Sequence, residues 1–145
     1  MAMKPKLSII VPLRQTKATH RDVRRLDDCL HSLDNQTAKG QFEIIVSDTD
    51  SDAYYKGRHK KICQAHKGVK YFHTRTGKLW NIGRARNIGI RAARGEFIMV
   101  ADMDCVFSPN FIETVLKYAA DDTIIHCRLS NLPENYNGKI GRAHV

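Results

Sequence analysis

The chain has 145 residues, of which 42% are hydrophobic and 27% charged, and its 24 Lys plus Arg against 15 Asp plus Glu give a net charge of +9. These values are typical of one globular domain or part of one, and they exclude a disordered chain, a collagen-like repeat and a small disulfide-rich scaffold. No apolar run reaches the roughly 18 residues of a membrane span. The N-terminal apolar run lacks a small-residue cleavage site, so we expect no signal peptide.

The first half of the chain alternates strand and helix patterns. Leu7–Leu13 (LSIIVPL) is a β-branched apolar run and predicts a buried strand. After a polar loop over Thr16–Asp22, apolar residues recur at helical spacing in Val23–Gln36. Phe42–Ser47 (FEIIVS) predicts a second buried strand, and Tyr54–His66 a weakly patterned helix.

The second half continues the alternation with two or three further strands. Val69–His73 and Glu96–Ala101 predict the third and fourth strands, and Thr123–Leu129 a fifth. Between them, helices are predicted over Asn81–Arg94 and Pro109–Ala120. The predicted caps of these two helices are a C-terminal Gly95 and an N-terminal Ser108.

Strands that alternate with helices predict βαβ units and a mostly parallel sheet covered on both faces. In such sheets ligands bind outside the carboxyl ends of the strands. Asp48 and Asp50 follow the second predicted strand, and Asp102 and Asp104 follow the fourth. We therefore expect all four carboxylates to face one crevice.

The spacing of Asp102 and Asp104 suits a metal. In extended backbone, residues i and i+2 point the same way, and two hard oxygen ligands on one side favour Mg²⁺ or Mn²⁺. A polar turn that begins with Asp is the alternative. The cluster from Asp48 to Asp52 is open in the same way, because Asp and Ser are common after strands and a carboxylate there could also accept hydrogen bonds from a base or ribose.

The helix over Asn81–Arg94 carries one misplaced charge. At 100° per residue Arg86 falls between Ile82 and Ile90 on the apolar side. It is either a snorkelling or ion-paired structural residue or an arginine that reaches a nucleotide or its phosphates.

Two glycines in this helix and a tryptophan just before it also bear on the site. Gly83 and Gly89 weaken the helix, which indicates close approach by backbone or ligand. Trp80, just before the helix, is a core aromatic or a wall of the site.

Several catalytic and metal motifs are absent from the sequence. The four cysteines form no CxxC pair, which argues against zinc and favours free thiols in a reducing compartment. No GxSxG elbow, P-loop or GxGxxG motif is present, which disfavours the corresponding hydrolase and nucleotide-binding folds.

In order, several segments resemble the family 2 glycosyltransferases with the GT-A fold: LSIIVPLR, LDDCLHSLDNQT, FEIIVSDTDSD, NIGRARNIGIRAARGEFIMVADMDC and SPNFIE. The resemblance covers about Leu7 to Ala120, and its most specific part is ARN-x-GI-x-x-A-x-GE followed by DxD. It implies a GT-A (Rossmann-like) α/β fold with a mostly parallel sheet flanked by helices, incomplete here. It also implies a UDP- or GDP-sugar donor, a glycan or other hydroxyl acceptor, Mn²⁺ or Mg²⁺, and inversion at the sugar carbon.

The resemblance assigns the metal and phosphate contacts by position. Asp104 corresponds to the metal ligand, and Asp102 to the ribose or diphosphate contact that joins it in the DxD motif. Arg86 corresponds to the basic residue near the base and phosphates.

The resemblance also assigns the base pocket. Asp48 corresponds to the carboxylate that contacts the base, and Pro12 and Leu13 would line the nucleotide pocket. Many relatives read DDGS where this chain has Asp48-Thr49-Asp50-Ser51, so Asp50 is a second candidate for the base contact.

The family also needs an acceptor-binding half that supplies a general base, usually a carboxylate. We expect it beyond the end of this chain, so residues 1–139 are predicted to be the nucleotide-sugar-binding part and to be inactive alone. An open sheet edge and marginal solubility are expected from a missing half. Residues 140–145 (IGRAHV) can be encoded by a common sequencing-adapter sequence and are predicted to be a non-native tail.

Two other functions fit parts of the sequence. The charge of +9 suits a non-enzymatic nucleotide- or nucleic-acid-binding α/β module, although three or four Asp at a crevice mouth disfavour nucleic acid. A nucleotidyltransferase would also use metal and paired Asp, but normally has a Gly-rich loop after the first strand, and PLRQTKATH has no Gly. We expect polysaccharide biosynthesis in the cytoplasm, with peripheral association at the inner face of the membrane as a further expectation.

Overall fold

The computed structural model describes residues 3–19 and 22–132, so the predicted tail at 140–145 lies outside the described residues. The strands are β1 (Leu7–Leu13), β2 (Phe42–Thr49), β3 (Val69–Thr74) and β4 (Phe97–Val100). The helices are α1 (Arg24–Asp34), α2 (Ala53–Ala65), α3 (Ile82–Ala92) and α4 (Phe111–Tyr118), with a short 3-10 helix at Lys17–Thr19.

The four strands form a parallel sheet in the order β3-β2-β1-β4. This confirms the predicted fold class. All seven residues of β1 are buried, because strands flank it on both sides and helices cover both faces. Since the strands are parallel, their carboxyl ends meet at one edge, where the chain continues into Arg14, Asp50 and Asp102.

Helices pack on both faces of the sheet. On one face the apolar stripe of α1, made of Leu26, Leu30 and Leu33, is fully buried against the sheet. On the other face α3 approaches so closely that a Cβ on Gly89 would lie 2.4 Å from Ile10 Cγ2. This contact explains the glycine inside the helix, as the sequence suggested.

Some predicted element ends are wrong. Residues 123–129 form no strand, because in the described part of the chain they make no ladder of backbone hydrogen bonds with β4. The N-cap of α4 is Asn110 instead of Ser108, and the C-cap of α3 is Ala93 instead of Gly95. Gly95 instead lets the chain pass the first strand, since a Cβ there would lie 2.5 Å from the Ser8 backbone nitrogen.

Glu43 joins three parts of the fold. Its carboxylate accepts hydrogen bonds from Ser8 Oγ at 2.7 Å, Lys70 Nζ at 2.6 Å and the Arg94 backbone N–H at 2.7 Å. Burial raises the pKa of Glu43, but these hydrogen bonds outweigh it and hold the pKa at about 2. Glu43 therefore stays charged while it connects β1, β3 and the start of β4.

His66, just after α2, fastens that helix to α1. Its Nδ1 lies 2.5 Å from Asp34 Oδ2 and its Nε2 lies 2.8 Å from Asp27 Oδ1. Burial lowers the pKa of His66, but the hydrogen bonds to the two carboxylates together raise it by more than burial lowers it, so the pKa of His66 is raised overall.

Among the helices that the structure describes, none combines the length and apolar character needed to cross a bilayer.

Candidate functional site

A cavity of about 370 Å³ opens at the carboxyl edge of the sheet. It brings together residues that follow β1, residues that precede α3 and residues that follow β4. Four of the predicted site residues line it, namely Pro12, Leu13, Asp102 and Asp104. Its other lining residues are Arg14, Gln15, Thr19, Trp80, Ile82 and Met103.

The DxD pair stands in a tight turn after β4, where the Cys105 N–H donates to the Asp102 carbonyl at 3.1 Å. The extended backbone expected for this pair is therefore wrong, and the turn that was the alternative is formed. One carboxylate oxygen each of Asp102 and Asp104 and the Cys105 sulfur lie within 4.8 Å of one another. Arg25 of α1 forms a salt bridge with Asp104, with 3.6 Å between Arg25 Nη1 and Asp104 Oδ2. Two exposed carboxylates this close fit a hard divalent cation such as Mg²⁺ or Mn²⁺, for which a thiol is a poor ligand.

Arg86 lies half-buried on α3 and lines a second cavity, beside β4, together with Asp102. Its Nε is buried, and no hydrogen-bond partner or carboxylate at salt-bridge distance is found for it among residues 3–19 and 22–132. The described residues therefore do not form the structural ion pair that was one interpretation of Arg86. A buried N–H without an acceptor is costly, and an anionic ligand would satisfy it.

Asp48 does not face the cavity, so the expectation of four carboxylates in one crevice is wrong at this position. Its side chain is fully buried, and Oδ2 receives hydrogen bonds from His59 Nδ1 at 2.8 Å and Tyr71 OH at 2.7 Å. Burial raises the pKa of Asp48, but the hydrogen bonds, led by that of His59, lower it below its usual value. His59 Nε2 contacts Gln15 Oε1 at 2.5 Å, which connects Asp48 to the cavity wall.

Asp50 is also directed away from the cavity lining, toward the segment that precedes α3. Its carboxylate accepts hydrogen bonds from the Thr76 backbone N–H at 2.6 Å, the Thr76 hydroxyl and the Gly77 N–H at 3.1 Å. These bonds, with a smaller contribution from Arg14, lower the pKa of Asp50. Its φ of +57° lies in the left-handed region, which glycine adopts most easily and which Asp tolerates better than most other residues.

The structure settles one open reading and adds residues. Trp80 is 41% exposed and lines the cavity, so it is a wall of the site and not a core aromatic. Arg14 and Gln15 were not predicted, although both directly follow Pro12 and Leu13 at the end of a parallel strand. The rule that located the acidic residues could have located them too.

Residues 8–142 match the sequence profile of the family described as Glycosyl transferase family 2, and the chain belongs to this family. It is 35% identical over 128 residues to the putative glycosyltransferase EpsH of Bacillus subtilis, covering 82% of this chain and 32% of that protein. It is 30% identical over 134 residues to an uncharacterised glycosyltransferase of Rickettsia conorii, covering 92% and 20%. The chain thus spans about a fifth to a third of the length of these relatives.

Solved structures show the same GT-A fold. TarS of S. aureus superposes with a TM-score of 0.63 at 24% identity, over 77% of this chain and 31% of that one. TarS in complex with UDP gives a TM-score of 0.58 at 23% identity, over the same shares of the two chains. The mannosyltransferase PcManGT of Pyrobaculum calidifontis, in complex with GDP-Man and Mn²⁺, gives 0.64 at 19% identity over 84% of this chain and 34% of that one.

Proposed function

We propose that this chain is the donor-binding part of a metal-dependent glycosyltransferase that moves a sugar from a UDP- or GDP-sugar to a hydroxyl acceptor with inversion. The observation that carries the proposal is the pair Asp102 and Asp104 beside a cavity at the carboxyl edge of the sheet. The UDP complex of TarS and the GDP-Man and Mn²⁺ complex of PcManGT support this choice of donor and cofactor.

Asp104 and Asp102 would hold the Mn²⁺ or Mg²⁺ ion. When bound, the ion stabilises the negative charge that develops on the leaving diphosphate. Pro12 and Leu13 line the cavity at the end of β1 and would shape it for the nucleoside. Arg86 would donate its unpaired Nε–H to the diphosphate or to Asp102, with which it shares the second cavity.

Asp48 and Asp50 belong to the same proposal with different roles. Asp48 is fully buried, so a base would contact it only through a rearranged Gln15 and His59. We propose that its charge instead keeps His59 and Tyr71 in place behind the cavity. Asp50 fixes the segment that leads into α3.

The general base remains a prediction for chain outside the described residues, so we expect residues 1–139 to bind donor without transferring sugar. The acceptor is proposed to be a glycan or other hydroxyl compound in polysaccharide biosynthesis. A cytoplasmic site of action, with peripheral contact at the inner face of the membrane, belongs to the same proposal.

A thermal-unfolding titration with UDP and GDP, each with and without Mn²⁺ or Mg²⁺, tests the proposal. At a nucleotide concentration of about 100 times Kd the free energy of unfolding rises by about 2.7 kcal/mol. At roughly 2–4 °C per kcal/mol for a chain of this size, the melting temperature should rise by roughly 5–11 °C.

Two variants decide whether the DxD pair is responsible. Asp104→Asn should abolish the metal-dependent part of the shift, whereas Asp28→Asn, which changes an exposed carboxylate on α1, should leave it intact. Equal shifts in the presence and absence of metal, or an unchanged shift in Asp104→Asn, would contradict a metal at this site.

A further inference from the structure

The segment between β3 and α3 carries the single tryptophan of the chain to the cavity. Trp80 is 41% exposed and lines the cavity, while the neighbouring Leu79 is 93% exposed and does not. A large aromatic ring half-exposed in the wall of a concave site loses apolar area to any flat ligand that enters. Trp and Arg faces are also the usual stacking surfaces for bases.

We propose that Trp80 stacks on the nucleobase of the donor, that Arg14 assists it, and that Asp50 is a positioning residue that holds Trp80 at the cavity. This inference rests on the proposed function and identifies which part of the site binds the base. The diphosphate is left to Asp102, Asp104 and the metal.

Arg14 is the second member of the base-binding pair. It directly follows Leu13, lines the same cavity as Trp80 and is half-buried. Its Nε is buried and has no hydrogen-bond partner in the described part of the chain. The guanidinium plane can stack on a base bound in this cavity, and a rotation of the side chain would bring that N–H to a carbonyl oxygen of the base.

Asp50 acts on Trp80 through the backbone. Three hydrogen bonds fix Thr76 and Gly77 to its carboxylate. Three residues further on, Trp80 precedes Asn81, whose side chain caps α3 by accepting from the Arg84 N–H at 3.0 Å. The segment that bears Trp80 is therefore anchored at both ends, by Asp50 at its start and by the cap of α3 at its end.

Fluorescence tests the stacking directly, because Trp80 is the only tryptophan in the 145 residues. UDP and GDP are titrated in Mg²⁺, which avoids quenching by paramagnetic Mn²⁺, and Mg²⁺-pyrophosphate serves as the ligand without a base. Calorimetry measures the three affinities in parallel. We expect at least one nucleotide to quench Trp80 on binding, and pyrophosphate to bind without quenching.

Substitutions separate the base from the diphosphate. Trp80→Ala should weaken nucleotide binding by about 5- to 150-fold, the range for loss of one base-stacking contact, and change pyrophosphate binding by less than about twofold. Trp80→Phe should restore most of the affinity, and Leu79→Ala, a truncation of the exposed neighbour, should have no effect.

The role of Asp50 has its own variants. Asp50→Gly keeps a residue suited to the left-handed backbone but removes the carboxylate, and Asp50→Asn keeps one acceptor oxygen. We expect Asp50→Gly to shift Trp80 emission to the red without ligand and to weaken nucleotide but not pyrophosphate binding, with Asp50→Asn intermediate.

The outcomes distinguish this inference from the proposed function. Nucleotide binding that leaves Trp80 fluorescence and the Trp80→Ala affinity unchanged would overturn the inference alone. Equal losses of nucleotide and pyrophosphate binding in Trp80→Ala would also overturn it. A chain with a folded circular dichroism spectrum that binds neither nucleotide would overturn the proposed function, and this inference with it.

Discussion

Replacing Gly89 with alanine should destabilise the protein, although alanine is the better helix former. The new Cβ would lie 2.4 Å from Ile10 Cγ2 and 3.4 Å from Ser47 Cβ, whereas carbon atoms pack at about 3.5–4.0 Å. Ile10 is fully buried, so either it leaves its rotamer or α3 moves away from the sheet. Such overpacking costs about 1–3 kcal/mol, and the gain in helix propensity returns about 1 kcal/mol.

Gly57 provides a matched control for this substitution. It lies in the interior of α2, where an added Cβ meets nothing within 4 Å. Gly57→Ala should therefore stabilise the protein by about 1 kcal/mol. Because the propensity gain is common to both variants, the difference between them isolates the steric cost, about 1–3 kcal/mol.

Urea unfolding followed by circular dichroism measures both variants against the parent chain, with the slope on denaturant checked for constancy. Gly89→Ala as stable as Gly57→Ala would refute the reasoning, because it would mean that Ile10 and α3 relax at no cost. If α3 moves away from the sheet while Ile10 keeps its rotamer, Arg86, which lies one turn earlier on α3, moves with the helix.

Three further predictions concern protonation and thiol exposure. Since the pKa of His66 is raised by folding, the protonated His66 stabilises the fold fully below the ordinary histidine pKa near 6.5, and this stabilisation is lost as the pH rises through the folded-state pKa. The urea midpoint of the parent chain should therefore fall as the pH rises through this range, and the midpoint of His66→Gln should change less. The pH dependence due to Glu43 has the opposite sign, because its pKa is lowered from the ordinary 4.5 to about 2. The charged Glu43 therefore stabilises the fold fully above pH 4.5, and this stabilisation is lost as the pH falls toward 2. Glu43→Gln should lower the free energy of unfolding by up to about 3 kcal/mol at neutral pH, and an acid-unfolding curve unchanged by the substitution would contradict this. The buried thiols of Cys29 and Cys63, with pKa values of about 12, should resist a thiol reagent that labels the exposed Cys127 quickly; early labelling of either would show that the core opens.

The strands were the most predictable part of the fold. Leu7–Leu13 matches β1 at both ends, and Pro12 lies within the strand. A short apolar run rich in Ile and Val has few alternatives to a buried strand. The predicted strand at Thr123–Leu129 shows the limit of such patterns. Its residues have strand composition, but composition does not reveal whether a neighbouring edge accepts the segment, and the segment lies along the cavity beside β4 instead.

The candidate site could be predicted only where the position of a residue in the sequence, directly after a strand, determines its place in the fold. Asp102 and Asp104 follow a strand end directly, so the topology alone brings them to the correct edge. The topology also brings Asp48 to the carboxyl end of its strand, but its hydrogen-bond partners come from α2 and β3. No local sequence pattern indicates that a histidine 11 residues later would bind this carboxylate in the interior. Trp80 was undecided because its exposure depends on the anchoring of its segment by Asp50, a contact between residues far apart in sequence.

The central place of β1 has a kinetic consequence. Of the four described strands it leaves the ribosome before the others, yet one of its two flanks stays open until β4 follows, because Leu7 pairs with Phe97. Such long-range pairing slows folding and leaves an apolar strand edge accessible to chaperones on the nascent chain. Asp102 and Asp104 are synthesised just after β4, so the proposed metal and nucleotide would stabilise only chains in which all four of these strands have been made, and none of the shorter chains that precede them.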